Sequence, residues 1–221
     1  MMRLISLNIG RAQPLANGKK VEMTGIFKDP VAAPLRVTRL GLSGDAVVDT
    51  KNHGGVDQAV YVYGLPDYAW WSATLGADLE PGTFGENMTI EGLESAALSV
   101  GDRLRVGEVV LEATAARIPC STLAARMGDP TFVKRFRHAE RPGVYCRVIQ
   151  EGEVSVGAVV EYLPYSGVTV SIVEMFQEWY NPRQSEASIR RHLAAPIASR
   201  ARIEQEERLA KALAERAGSP R

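Results

Sequence analysis

The chain has 221 residues, enough for one sizeable domain with a small extension. Its 26 Lys and Arg residues balance 26 Asp and Glu residues, and no long stretch carries a dense stripe of Lys and Arg interleaved with aromatics. This composition argues against nucleic acid as a partner and favours a small or neutral one. The first ten residues are too short and too polar for a signal peptide or a membrane span, so we expect a cytoplasmic protein with no membrane partner.

Short apolar and β-branched runs separated by Gly, Pro and Asp dominate the chain up to Leu163. They predict strands at residues 3–9, 21–27, 60–63, 103–106, 109–113, 144–149 and 159–162. Gly107 is free to adopt a positive φ, which favours a tight hairpin turn between the fourth and fifth of these strands. Short helices are predicted at residues 66–75, 122–127 and 131–137. Many short strands joined by turns favour a mainly β fold, a β-barrel, over a layered α/β fold.

The pattern changes after Pro164. Residues 173–180, 186–193 and 202–216 are typical of helices, and Pro182 and Pro196 separate them. We therefore predict a β-barrel domain over residues 1–166 and a small C-terminal three-helix extension over residues 167–221. The polar tail at residues 218–221 is expected to fray.

The two cysteines differ in context. Cys146 alternates with Tyr145 and Arg147 in a strand, which favours a small core residue. Cys120 follows a proline and precedes the helix at residues 122–127, and Arg117 is close in sequence. The positive end of a helix dipole and a nearby cation both lower the pKa of a thiol, so Cys120 is the candidate reactive thiolate.

Two glycine-containing loops are the other candidate sites. Residues 51–57 read KNHGGVD, and the backbone N–H groups of Gly54 and Gly55 could converge on an anion beside Lys51 and His53. An ordinary Gly-Gly turn with a solvated lysine fits these residues equally well. Residues 83–87 read TFGEN, where Asn87 offers donors and an acceptor, although an ordinary turn is the simpler interpretation.

Five motifs in fixed order resemble the MOSC domain, which is named for the C-terminal part of molybdenum-cofactor sulfurases. They are GLSGD at 41–45, KNHGGVDQAV at 51–60, PGTFGEN at 81–87, VGD at 100–102 and RIPC at 117–120. The C-terminal helices are similar to the three-helix extension of the YiiM-like subgroup, through Val173, Met175 and Phe176 and then Leu193, Ala194 and Pro196.

The resemblance implies a MOSC-type β-barrel that holds the molybdenum cofactor, molybdopterin with molybdenum, and a thiolate ligand to the metal at Cys120. A soft thiolate suits a metal that already carries sulfur ligands. The residues implied around the pterin phosphate are Lys51, His53, Arg117 and Arg147. Those implied at the heterocycle are Asp57 and Asn87, together with the loop residues Thr83, Phe84, Gly85 and Glu86.

The resemblance also implies an oxidoreductase that reduces N-hydroxylated compounds, including N-hydroxylated purine bases and amidoximes. Two cysteines cannot hold a four-thiolate iron–sulfur cluster, and no GxGxxG turn follows a strand, so electrons are expected from a separate flavin or iron–sulfur protein. One alternative is a carrier in which Cys120 holds a persulfide or hands on loaded cofactor. Another is a hydrolase with Cys120 as nucleophile and His53 as base, which requires the two side chains to lie within about 3 Å.

Overall fold

A computed structural model describes residues 1–218. Its strands are β1 (Met2–Gly10), β2 (Gln13–Asn17), β3 (Lys20–Thr24), β4 (Lys28–Pro30), β5 (Leu35–Thr38), β6 (Gly41–Leu42), β7 (Val60–Gly64), β8 (Met88–Glu91), β9 (Arg103–Val106), β10 (Val109–Ala116), β11 (Val144–Gln150), β12 (Gly152–Val154) and β13 (Val159–Leu163). The helices are α1 (Leu65–Leu75), α2 (Ser121–Arg126), α3 (Phe132–Ala139), α4 (Ile172–Trp179), α5 (Glu186–Ala194) and α6 (Ser199–Gly218). None of the helices in this range combines the length and the apolar character needed to cross a membrane.

Seven strands form a closed barrel, which confirms the predicted fold class. Their order is β13-β9-β10-β11-β7-β8-β1, and β1 pairs with β13 to close the sheet. Closure leaves no open edge among these seven strands. Neighbours are antiparallel except β7 and β8, which are parallel because the connection between them contains α1. The hairpin between β9 and β10 turns at Gly107 with φ of 59°, as its sequence predicts.

The strand expected at residues 21–27 is shorter than predicted. β3 ends at Thr24, because Gly25 passes against the backbone of Ala46, where an added Cβ would lie 2.0 Å from the carbonyl oxygen. The residues that follow leave the β2–β3 hairpin instead of extending it. This departure shapes one end of the barrel, since Gly25 and Ile26 line a cavity there.

An aromatic cluster fills the core between α1, α3 and the barrel. The Trp71 ring lies 5.1 Å from that of Phe132 and 5.8 Å from that of Phe136, measured between centroids. Its indole N–H donates to the Tyr63 hydroxyl at 2.9 Å. Burial of this much aromatic surface holds the connecting helices firmly on the barrel.

The three C-terminal helices are confirmed, and they pack directly on the barrel domain. The Ser171 hydroxyl caps α4 by accepting from the Glu174 N–H at 3.1 Å. The Ile172 N–H donates to the Leu98 carbonyl at 2.8 Å, and Phe176 is buried in the same apolar core as the barrel residues. A domain boundary at residue 166 stays a prediction. Of the polar tail, residues 219–221 lie outside the described residues.

Candidate functional site

A cavity of about 230 Å³ lies at one end of the barrel. The β2–β3 hairpin, the loop after β6, and the ends of β7, β10 and β11 contribute its walls. It brings together residues from four of the five motifs that sequence analysis singled out. The predicted site residues in its lining are His53, Gly54, Gly85, Asn87, Arg117 and Cys120.

Cys120 is the chemically distinctive residue in this lining. It occupies the N-cap position of α2, where the N–H groups of Leu123 and Ala124 donate to its carbonyl at 3.1 and 3.3 Å. Burial alone raises the pKa of its thiol, but hydrogen bonding with His53 and the charge of Arg117 outweigh burial and bring the pKa to about 6. Cys120 is therefore mostly a thiolate at neutral pH. In contrast, burial raises the pKa of the Cys146 thiol, and that residue lies in the core as expected.

His53 is fixed beside the thiolate by two contacts. Its Nδ1 lies 3.1 Å from the Tyr145 hydroxyl, and its backbone N–H donates to the Asp49 carbonyl at 2.9 Å. Tyr145 packs against Tyr61 with ring centroids 5.1 Å apart, and burial raises the pKa of Tyr145. A neutral tyrosine thus holds the imidazole in one orientation.

Arg117 supplies a buried positive charge that is not fully satisfied. Its guanidinium carbon lies 5.3 Å from the Tyr61 ring centroid and 5.8 Å from that of Phe136. The residue is 4% exposed, and its Nη1 has no hydrogen-bond partner among the described residues. An unpaired buried donor is costly, so this N–H group is free to donate to an acceptor that enters the cavity. An anionic group bound in the cavity would provide one.

A polar cluster formed by Lys28, Asp45 and Asn87 also lines the cavity. Asp45 forms a buried ion pair with Lys28 and accepts from the Asn87 side-chain amide at 2.9 Å. The Asn87 Oδ1 in turn accepts from the Tyr61 N–H at 3.1 Å. Burial lowers the pKa of Lys28, although Asp45 opposes this shift. The cluster offers both hydrogen-bond donors and acceptors to a ligand.

Sequence analysis did not assign Lys28, Asp45, Tyr61 or Tyr145 to the site. Asp45 could have been found from the sequence, because it is the last residue of the GLSGD motif. Tyr61 and Tyr145 face each other across β7 and β11, and each stands among apolar neighbours that suggest only a core strand. For Lys28, no local pattern distinguishes a buried lysine from a solvated one.

Four of the predicted site residues, three of them in the KNHGGVD motif, lie outside the lining. Lys51 and Gly55 are exposed. Asp57 accepts from Ser199, and Arg147 pairs with Asp57 at 3.2 Å. The roles of all four toward a cofactor stay predictions, and the side chains of Asp57 and Arg147 already have partners within the protein.

Three residues of the TFGEN loop also lie outside the lining. Phe84 is fully buried and stacks on Tyr63 with ring centroids 4.8 Å apart. The Thr83 hydroxyl donates to the Glu80 carbonyl at 2.6 Å. Glu86 is buried, and its Oε1 accepts from Tyr68 at 2.5 Å and from the Gly82 N–H at 2.7 Å. These contacts shape the loop that presents Gly85 and Asn87 to the cavity.

Comparison with known proteins identifies the family of this chain. The MOSC domain matches residues 49–161, and the chain belongs to the MOSC domain family. Among relatives, the uncharacterized protein YflK of Bacillus subtilis is 38% identical over 170 residues, 76% of each chain. Protein YiiM of Escherichia coli is 30% identical over 170 residues, 75% of each chain.

Two further similarities concern activity and fold. A protein named "Reductase" from Gibberella moniliformis is 28% identical over 168 residues, which are 73% of this chain and 30% of that protein. The crystal structure of YiiM from Geobacillus stearothermophilus superposes with a TM-score of 0.78 at 27% identity, covering 95% of this chain and 100% of that one. The arrangement of the barrel and the C-terminal helices is thus also found in a crystal structure.

Proposed function

We propose that this protein is a molybdenum-cofactor-binding oxidoreductase that reduces N-hydroxylated compounds, such as N-hydroxylated purine bases and amidoximes. The observation that carries the proposal is the acidic thiol of Cys120 beside a buried arginine, one of whose donors has no partner among the described residues. Membership of the MOSC family, which is associated with this cofactor, and a relative named "Reductase" support it.

The residues in the cavity fit such a cofactor. A thiolate is the soft ligand that molybdenum in a sulfur environment accepts. Arg117 has an N–H available for a phosphate oxygen, and a guanidinium suits phosphate well. Gly85 has no side chain to crowd the cavity wall, where an added Cβ would lie 3.0 Å from the Ile26 side chain. The polar cluster of Lys28, Asp45 and Asn87 can hold a heterocycle edge.

The protein's own residues divide the work among binding, orientation and electrostatics. The chemistry that the cofactor supplies when bound is the two-electron reduction of an N–O bond to an amine. Cys120 would hold the metal, while His53, which lowers the pKa of the thiol, would favour the negative charge on the sulfur. Arg117 would neutralise the phosphate from a buried position, where water competes little with the ion pair.

Metal analysis of protein produced in a host that makes molybdenum cofactor tests this proposal. We expect molybdenum and a releasable pterin in the parent protein and in Cys146→Ser, but no molybdenum in Cys120→Ser, because a serine oxygen is harder and far less acidic. Equal molybdenum content in the two variants would rule out Cys120 as the ligand.

Electron supply separates the reductase from the carrier. We expect loss of an N-hydroxylated substrate when reduced viologen is the donor, and none with NADH or NADPH alone, because a separate flavin or iron–sulfur protein is the proposed donor. Turnover with a nicotinamide would contradict this electron route. Loaded protein that shows no turnover with any donor, but transfers cofactor or sulfur from Cys120, would instead be a carrier.

A hydrolase is the third candidate, after the reductase and the carrier, and the surroundings of Cys120 favour it. His53 and Cys120 both line the cavity, His53 lowers the pKa of the Cys120 thiol, and Tyr145 orients His53, so a nucleophile, a base and an orienting residue share one cavity. The test is hydrolysis of activated esters and amides by protein without cofactor. Turnover that Cys120→Ser abolishes and molybdenum loading does not affect would favour the hydrolase over the reductase. The cytoplasmic location stays a prediction.

A further inference from the structure

The loop that carries His53 and Gly54 into the cavity is tied to the start of α6. The Asp57 Oδ2 accepts from the N–H and the hydroxyl of Ser199, the first residue of α6, at 2.7 and 2.6 Å. A carboxylate is stabilised at this position because the first N–H groups of a helix have no partner within it. The contact joins residues far apart in the chain.

Two arginines strengthen the same junction. Arg200 donates to the Thr50 carbonyl at 2.8 Å and to the Gln58 side chain at 3.4 Å, so it holds both ends of the loop. Arg147 pairs with the Asp57 Oδ1 at 3.2 Å and donates to the carbonyls that precede α6, those of Pro196 at 3.1 Å and Ile197 at 3.2 Å.

The barrel completes the junction through one threonine. The Thr114 hydroxyl donates to the Asp57 carbonyl at 2.5 Å, and the Thr114 carbonyl accepts from the Ala198 N–H at 3.1 Å. Strand β10, the loop and α6 therefore meet at Asp57.

Within the loop, Asn52 donates to the Asp49 carboxylate at 3.1 and 2.9 Å and shapes the first half, whereas the second half contains two glycines. Its Gly54 and Gly55 have φ of 70° and 80°, and glycine visits this region freely in the unfolded chain and in many alternative loop conformations. The backbone bonds that start and end within residues 49–58 include His53 N–H to Asp49 and Gln58 N–H to Gly55. The contacts with α6 therefore have a large share in fixing the loop.

We propose that the start of α6 is a latch on the cavity loop, residues 50–58, and that Asp57 is a positioning residue that holds His53 and Gly54 in place for a bound ligand. In this arrangement Asp57 acts through the loop and does not contact the ligand. The expectation that Asp57 helps to retain the cofactor rests on the proposed function. The expectation that Asp57 orders the loop does not.

Hydrogen exchange in the full chain without cofactor tests the latch. In Asp57→Ala we expect the amides of His53 and Gln58 to exchange about tenfold faster, because a charged acceptor of several hydrogen bonds is lost. Ser199→Ala should show a smaller increase, and Ser199→Thr, which keeps the hydroxyl, should behave like the parent.

Asp129→Ala is the matched control. The Asp129 carboxylate accepts from the N–H and hydroxyl of Thr131 at 2.8 and 2.7 Å and from Arg135 at 3.2 Å, the same kinds of donor as at Asp57. It does not line the cavity. We expect no change in exchange of the loop amides in this variant, so a general effect of losing a carboxylate is separated from the latch.

Molybdenum retained after gel filtration is the second measurement. We expect a severalfold loss in Asp57→Ala and none in Asp129→Ala. Unchanged loop exchange in Asp57→Ala would overturn the latch, and cofactor loss with a fully ordered loop would make Asp57 a direct ligand contact instead. A parent protein without molybdenum would contradict the proposed function but leave the exchange test decisive.

Should Asp57→Ala not fold, Ser199→Ala tests the latch from the other side of the same contact, at an exposed position. Unchanged loop exchange in Ser199→Ala would overturn the latch.

Discussion

The acidity of Cys120 predicts how fast the protein without cofactor reacts with iodoacetamide. Cys146→Ser leaves Cys120 as the one remaining thiol of the two in the sequence. With a pKa of about 6, compared with the ordinary 9.0, nearly all of Cys120 is thiolate at neutral pH. The ionised fraction at pH 7 is about 90% for the lower value and about 1% for the higher one. Alkylation should therefore be near its maximum already at pH 7.

The two neighbours that lower this pKa can be removed separately. Hydrogen bonding with His53 lowers the pKa more than the charge of Arg117 does, while burial opposes both. We expect the midpoint of the rate–pH curve to rise in His53→Ala, and to rise less in Arg117→Met, which keeps a long apolar side chain in place of the charge. A rise of about one pH unit would reduce the thiolate at pH 7 to about half.

The assay is the alkylation rate of protein in the Cys146→Ser background between about pH 4.5 and pH 9.5, a range that spans both pKa values, followed by intact mass. Denatured protein gives the ordinary thiol curve as the control. A midpoint near the ordinary value in the folded protein would refute the electrostatic account of the site. A rate–pH curve whose midpoint neither substitution shifts would refute this account as well.

Three further predictions concern binding and stability. Arg117→Ala should release pterin more readily than Arg117→Lys, because the lysine keeps a positive charge but not bidentate geometry; pterin fluorescence after gel filtration measures this. Trp71→Ala should lower the free energy of unfolding by about 3–5 kcal/mol in urea titrations, because it empties the centre of the aromatic cluster. Gly54→Ala should destabilise more than Gly107→Ala in the same titrations: both have positive φ, but an added Cβ at Gly54 would lie 2.8 Å from Val47, whereas Gly107 faces open space.

The barrel was largely predictable because its strands carry local signals. The runs that became β10, β11 and β13 are rich in β-branched and aromatic residues and are bounded by glycine or polar residues, so the strand positions follow from chemistry within a few residues. The shortest strands, such as β4 and β6, were missed because two or three residues have no periodicity to detect. These short segments become strands because a neighbouring strand supplies partners for their backbone hydrogen bonds.

Sequence by itself determined the candidate thiolate and the loops around it. Cys120 is recognisable because a helix start and an arginine are close along the chain, and both effects on a thiol are local. The glycines of the two loops were likewise visible, since residues that permit positive φ stand out in any sequence.

Only the tertiary structure decided which side chains surround that thiolate. His53, Tyr145 and Asp45 come from separate parts of the chain and meet because the barrel closes, while Asp57 is drawn away from the cavity by α6. A carboxylate looks the same in sequence whether it faces a ligand or the start of a helix. Its partner depends on where distant elements pack, and that depends on burial of the whole apolar core, which no short motif encodes.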